Sequence, residues 1–271
     1  MRISDEARKC AVSFGVVIPP DALIKFGGTG FIVSLPRDGI QSQFLVTCRH
    51  VAKRLQSMGR FVIRANMIAG GAEPFPVNNV HWIYHADQTI DLAAMPFDAI
   101  EGFDHAAYGI DNGPDHALDK AQCGDPINIV GLFRLDIDTS RSTQIVHNGH
   151  IAVQPDPNNK IPIRDRITGQ RIAIEAYLVE AHTFQGLAGS PVFYHRSRAN
   201  ESNVADQGHL PVRAREHLLG LYVGAWNGES GELLAKDKNW KGDQRVPQSM
   251  GLVIPTEEIV EMLVQNVACA A

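Results

Sequence analysis

The chain has 271 residues, enough for one large domain or two small ones with cores of their own. Lys plus Arg number 25 and Asp plus Glu 30, a net charge of −5 that offers no general attraction to nucleic acid or to an anionic membrane. No run approaches the roughly 18 apolar residues of a membrane span, and the opening MRISDEARKC lacks the apolar stretch of a signal peptide.

A short helix is predicted over residues 4–10. Short β-rich runs follow, separated by Gly, Pro, Asn and Asp clusters: 30–35, 43–47, 60–64, 80–84, 91–96, 126–133, 143–152, 172–178, 190–194, 218–225 and 251–254. Many short strands at this spacing indicate a sandwich or barrel rather than βαβ units. Residues 51–57 have helical character. The clearest helix covers 256–267, with Thr256 as a cap, Glu257 and Glu258 in its first turn, and Ile259, Met262, Leu263 and Val267 on one apolar face. Residues 109–119 read as a connector. Two long polar stretches, 195–216 and 227–250, read as surface insertions and are candidate surfaces for a regulatory protein partner. The four cysteines, Cys10, Cys48, Cys123 and Cys269, form no C-x-x-C pair. Their spacing and the missing signal peptide predict free thiols in a reducing, cytoplasmic compartment, and no metal or other cofactor is expected.

Three segments bear on chemistry. Val46-Thr47-Cys48-Arg49-His50 carries a histidine just past an apolar strand. Asp91-Leu92-Ala93 opens a second apolar strand with an acid. Gly186-Leu187-Ala188-Gly189-Ser190-Pro191 is a glycine-rich turn feeding a third. Each alone is bland: a structural histidine, a strand-start aspartate, a hairpin. Together, in this order, they resemble the trypsin-like (chymotrypsin-fold) serine peptidases, whose motifs run V-T-x-x-H, D-x-A and G-x-S-G-[GS]-P. The resemblance covers about residues 25 to 255 and departs at one place, where Ala188 stands at the nucleophile's position.

The resemblance implies an all-β fold of two six-stranded antiparallel β-barrels with a C-terminal helix. Residues 1–24 would be a lead segment, 25–118 the N-terminal barrel with His50 and Asp91, 119–254 the C-terminal barrel with the nucleophile turn, and 255–271 the terminal helix and tail. It also implies an endopeptidase acting on protein or peptide substrates. His50 is the expected base, Asp91 its orienting partner, and the backbone N–H groups of Gly186 and Ala188 the oxyanion donors. His182, Thr183, Tyr222 and Ala225 would line the primary specificity pocket. Tyr222 falls where glutamyl endopeptidases place a histidine, which leaves chymotrypsin-like and acidic preferences both open. Ser190, two residues downstream, is the competing nucleophile. An isolated alanine among retained partners reads as deliberate inactivation of a serine peptidase. A natural pseudo-peptidase that binds peptides without cutting them is the other reading.

Overall fold

The computed structural model describes residues 3–18, 23–37, 40–78, 80–110, 121–132, 141–182, 186–195, 216–226 and 250–268. Most of the predicted connector, most of both polar insertions, Thr183 and Cys269 lie outside the described residues.

The chain opens with helix α1 (Asp5–Lys9), whose first turn is capped by the Ser4 hydroxyl accepting the Ala7 N–H. The N-terminal half then forms β1 (Ala11–Ile18), β2 (Leu23–Arg37), β3 (Ile40–Thr47), helix α2 (Arg49–Met58), β4 (Phe61–Asn66), β5 (Ala72–Val77), β6 (Ile83–Tyr84), β7 (Ala93–Pro96) and β8 (Tyr108–Gly109). These strands make an eight-stranded sheet in the order β5-β4-β1-β2-β3-β7-β6, with β8 running parallel to β2. No strand is predicted over residues 11–18, yet β1 sits between β2 and β4. Its period-two signal is real, with Val12 and Phe14 buried and Ser13 between them less so. Gly15 and a register shift beside it blur the pattern. Phe14 is fully buried and meets Phe61 and Trp82 edge-on, with centroids 5.8 and 6.5 Å away.

The C-terminal half contains β9 (Pro126–Leu132), β10 (Gln144–Val153), β11 (Ile161–Arg164), β12 (Arg171–Ile174), β13 (Tyr177–Ala181), β14 (Ser190–His195), β15 (Glu216–Ala225) and β16 (Met250–Pro255). Six of them close into a barrel, β10-β13-β16-β15-β14-β9, while β11 and β12 form a separate hairpin. The single run expected over 172–178 is thus two strands, broken at Glu175 and Ala176, that serve different sheets.

Helix α3 (Thr256–Ala268) ends the described chain. Ile259, Met262 and Leu263 of its predicted apolar face are buried. Thr256 does not act as the predicted cap: it is the first helical residue, and its hydroxyl donates to the Leu218 carbonyl at 2.7 Å, tying the helix to β15. Glu258 pairs with Nε2 of His85 at 3.1 Å, so the helix is also fastened to the N-terminal half.

Truncating Phe14 to Ala should destabilise the fold by about 3–5 kcal/mol, read as a lowered denaturation midpoint at unchanged slope. Cys10, Cys48 and Cys123 are free, the first two buried and the third exposed. Thiol titration of native protein should therefore find Cys123 reactive while Cys10 and Cys48 are protected. In denaturant without reductant all four cysteines of the chain should react, and a count of zero would contradict the free-thiol assignment.

Candidate active site

β3 delivers the chain into α2, and this junction places His50 in the first turn of the helix. The helix starts two residues earlier than predicted. Asp91, just before β7, holds that turn twice. One carboxylate oxygen accepts the His50 backbone N–H at 2.8 Å, and the other lies 2.5 Å from His50 Nδ1. The Asp91 carbonyl accepts the Arg49 N–H at 3.2 Å. A carboxylate facing Nδ1 keeps the proton there and leaves Nε2 to accept another, the tautomer a general base requires. Both side chains are mostly covered, at 21% and 15% exposure, so the pair is shielded yet open on one side.

The glycine-rich turn sits before β14 in the other half. Gly186 has φ 104° and Gly189 φ 92°, conformations that L side chains resist. Gly189 faces a second constraint, because a Cβ there would stand 1.9 Å from the Thr29 carbonyl oxygen and 2.5 Å from Thr47 Oγ1. The turn is pinned by its own Ser190 N–H to Leu187 C=O bond at 2.9 Å and by the Gly189 N–H donating to the Tyr222 carbonyl at 2.8 Å.

Thr29 joins the halves. Its N–H donates to the Ala188 carbonyl at 3.0 Å and its hydroxyl to the Gly186 carbonyl at 2.9 Å. Its own carbonyl accepts the Thr47 hydroxyl at 2.8 Å, three residues before His50. Cys48 adds a second link, with its thiol 3.5 Å from the same Tyr222 carbonyl that holds Gly189. Neither Thr29 nor Cys48 has a positioning role legible in the sequence. The flanking Gly28 and Gly30 are the local signal of close packing near Thr29. Gly30 meets a side chain and a main chain at once, since a Cβ there would fall 2.8 Å from the Phe14 ring and 3.0 Å from the Val46 carbonyl.

Ser190 is fully buried, and its hydroxyl has no partner among the described residues. It lies beside Gly131 of β9, where a Cβ would stand 3.7 Å from the Ser190 hydroxyl. Of the residues assigned to the primary pocket, Tyr222 is 2% exposed, and its ring lies against Gly251, where a Cβ would stand 2.4 Å from Cε2. His182 and Ala225 are exposed. A cavity of about 530 Å³ beside β3, β7 and α3, lined in part by Gln43, Phe44, Phe97 and Asn266, contains none of the predicted site residues.

Cys48, His50 and Asp91 bring three ligand atoms within 4.8 Å of one another. Burial first, and then the charge of Asp91, push the Cys48 thiol well above its ordinary pKa. His50 Nδ1 is already engaged by Asp91. The cluster is therefore a hydrogen-bonded pair with a protonated thiol beside it, a poor fit for a cation that needs a thiolate ligand.

No family model and no curated protein matches the chain. Among solved structures it is similar to the active form of the Rv3671c protease from M. tuberculosis, with TM-score 0.51 and 16% identity over 95% of this chain and 81% of that one. The inactive form of the Rv3671c protease gives TM-score 0.49 and 16% identity over 96% and 89%. The HtrA-type protease AlgW with decapeptide gives 0.49 and 14% over 95% and 64%. The fold is that of the trypsin-like serine peptidases, with a closed six-stranded antiparallel barrel and a terminal helix.

Gly189→Ala should cost more than about 1 kcal/mol through backbone conformation alone, and more still through the clash with Thr29. A melting temperature equal to the parent's would show that the turn tolerates a side chain.

Proposed function

We propose that this chain is a serine endopeptidase scaffold that hydrolyses peptide bonds with His50, Asp91 and a serine at position 188, where alanine now stands. The observation that carries the reading is the doubly bonded His50–Asp91 pair, fastened through Thr47 and Thr29 to the turn holding Ala188. In this mechanism a hydroxyl at 188 attacks the substrate carbonyl while His50 Nε2 takes its proton. The same imidazole returns the proton to the leaving amine, and water repeats the cycle on the acyl-enzyme. Asp91 stabilises the imidazolium that forms in between. The backbone N–H groups of Gly186 and Ala188 serve as donors to the developing oxyanion. His182, Thr183, Tyr222 and Ala225 form the primary pocket in this reading, with Tyr222 as the bulky member that limits its depth.

β15 supplies the binding edge. β14 pairs with it only as far as Tyr222, at Ser190, whereas β16 continues along its other side to Ala225. Val223, Gly224 and Ala225 therefore extend past the turn with no strand on the β14 side among the described residues. An extended peptide adding there would lay its backbone beside residue 188. Ala188 itself favours a second reading, a module that holds peptides without cleaving them. No described helix is long and apolar enough to cross a membrane. The free thiols support a reducing, cytoplasmic setting, and the segments 195–216 and 227–250 remain our proposed sites for a regulatory partner.

The chain as it stands should show no measurable amidase activity, and Ala188→Ser alone should restore it. Losing the nucleophile of such a triad costs on the order of 10⁶ in turnover. Ser190→Ala in the restored background should retain most activity. Restored protein that folds and binds peptides yet cleaves none across a diverse library would establish the binding module instead.

A further inference from the structure

The substrate edge of β15 carries a gap in its side chains, and an arginine from elsewhere fills it. Gly224 is buried at a bulge in the β15–β16 pairing and has φ 150°. A Cβ on it would lie 2.1 Å from Arg166 Nη2 and 2.8 Å from Arg166 Cζ. The guanidinium of Arg166 thus occupies the space that a side chain of the edge strand would take. Its charge also reaches the Cys48 thiol, two residues before His50.

Arg166 comes from the turn between β11 and β12, and the backbone of that turn is closed by its own hydrogen bonds. Asp165 spends its carboxylate within the turn, accepting the N–H groups of Ile167 at 2.9 Å and Thr168 at 3.3 Å and the Thr168 hydroxyl at 2.6 Å. Arg164 donates to the Gly169 carbonyl at 3.0 Å, closing the same turn. Trp226, the residue after β15, donates its indole N–H to the Pro162 carbonyl at 3.0 Å, so the hairpin is tied to the strand it overhangs. No carboxylate among the described residues lies within 4 Å of Arg166, and the side chain is exposed to solvent. A guanidinium with no carboxylate within 4 Å among the described residues therefore borders the proposed peptide edge of a chain whose net charge is −5.

We propose that Arg166 is a specificity-determining residue that binds an acidic side chain of the peptide lying along residues 223–225. This inference rests on the reading of that edge as the substrate site. Side chains of an extended peptide alternate between two faces. Those on the face of Gly224 meet no side chain from the strand and come directly onto the guanidinium. The distance along β15 from Tyr222, beside the turn, to Gly224 puts the contacted residue about two to four positions from the scissile bond. Planar, bidentate pairing with a carboxylate is the contact that a guanidinium makes best. An extended peptide with Glu or Asp at that position is the ligand class.

Two measurements on the whole chain test this separately from the proposed activity. The first is binding of fluorescent peptides to the Ala188 protein, with Glu, Gln or Lys placed in turn at each position along the peptide. At one position the Glu peptide should bind about three- to tenfold more tightly than the Gln peptide, the advantage shrinking with added salt. Arg166→Gln should bring that ratio to about one, and Arg166→Glu should favour Lys instead. The second is cleavage by the Ala188→Ser protein, where the same ratio should appear in kcat/KM. If peptides bind but no position shows a Glu preference, or if the preference survives Arg166→Gln, the assignment of Arg166 is overturned and the peptidase reading stands. If peptides neither bind nor are cleaved, both fall together.

Discussion

The two halves meet backbone to backbone, and the rest of the site depends on that approach. Gly189 comes so close to the Thr29 carbonyl that no side chain fits between them. Thr29 answers with two hydrogen bonds into the turn, one from its N–H and one from its hydroxyl. Each contributes about 1 kcal/mol net. Their larger effect is geometric, because they hold the half-buried carbonyls of 186 and 188 in one orientation. The turn is thereby held in one shape by the chain's own contacts, the preorganisation that the proposed reaction would use.

The histidine side is organised by the opposite means, a charged group in place of a close contact. Asp91 spends both carboxylate oxygens on His50, one on the ring and one on the main chain. The helix start and the imidazole are thereby positioned by one residue. Cys48 lies beside them without competing, since a buried thiol held protonated is neither nucleophile nor ligand. The carbonyl of Tyr222 then joins this side to the turn, accepting from Gly189 and lying beside the Cys48 thiol. Positioning of the pair and of position 188 passes through two threonines, a cysteine and a carbonyl, none of which does chemistry.

The barrel behind the turn is itself held by polar contacts. Buried His195 lies with Nε2 2.6 Å from Asn128 Oδ1, and Asn128 donates in turn to Asn148 Oδ1 at 2.6 Å. The acceptor oxygen requires the proton on Nε2, and burial lowers the tendency of the ring to take a second one. β14, β9 and β10 are thus pinned at the end of the barrel farther along β14 from the turn. The start of β14, where the turn must keep its geometry, is set independently by the Gly189 and Ser190 N–H bonds.

The sequence by itself determined the order of the chemical residues and the type of most elements. His50, Asp91 and the 186–190 turn each stand beside an apolar strand, and local signals suffice for that: a run of β-branched residues, an acid at a strand mouth, glycines where φ must be positive. It also determined the buried face of α3, because Ile259, Met262 and Leu263 recur at helical spacing. Other features depended on contacts distant in the chain. β1 became an inner strand because Phe14 found Phe61 and Trp82, although its glycine and bulge weaken its own signal. Thr256 left its capping role because Leu218 offered a buried carbonyl. Thr29 and Gly189, 160 positions apart in numbering, became neighbours, and Arg166 came to rest on Gly224. Local propensity and periodicity describe the chain within a few residues, whereas hydrogen-bond satisfaction and excluded volume act between whichever segments the fold brings together, so only the tertiary structure could decide these pairings.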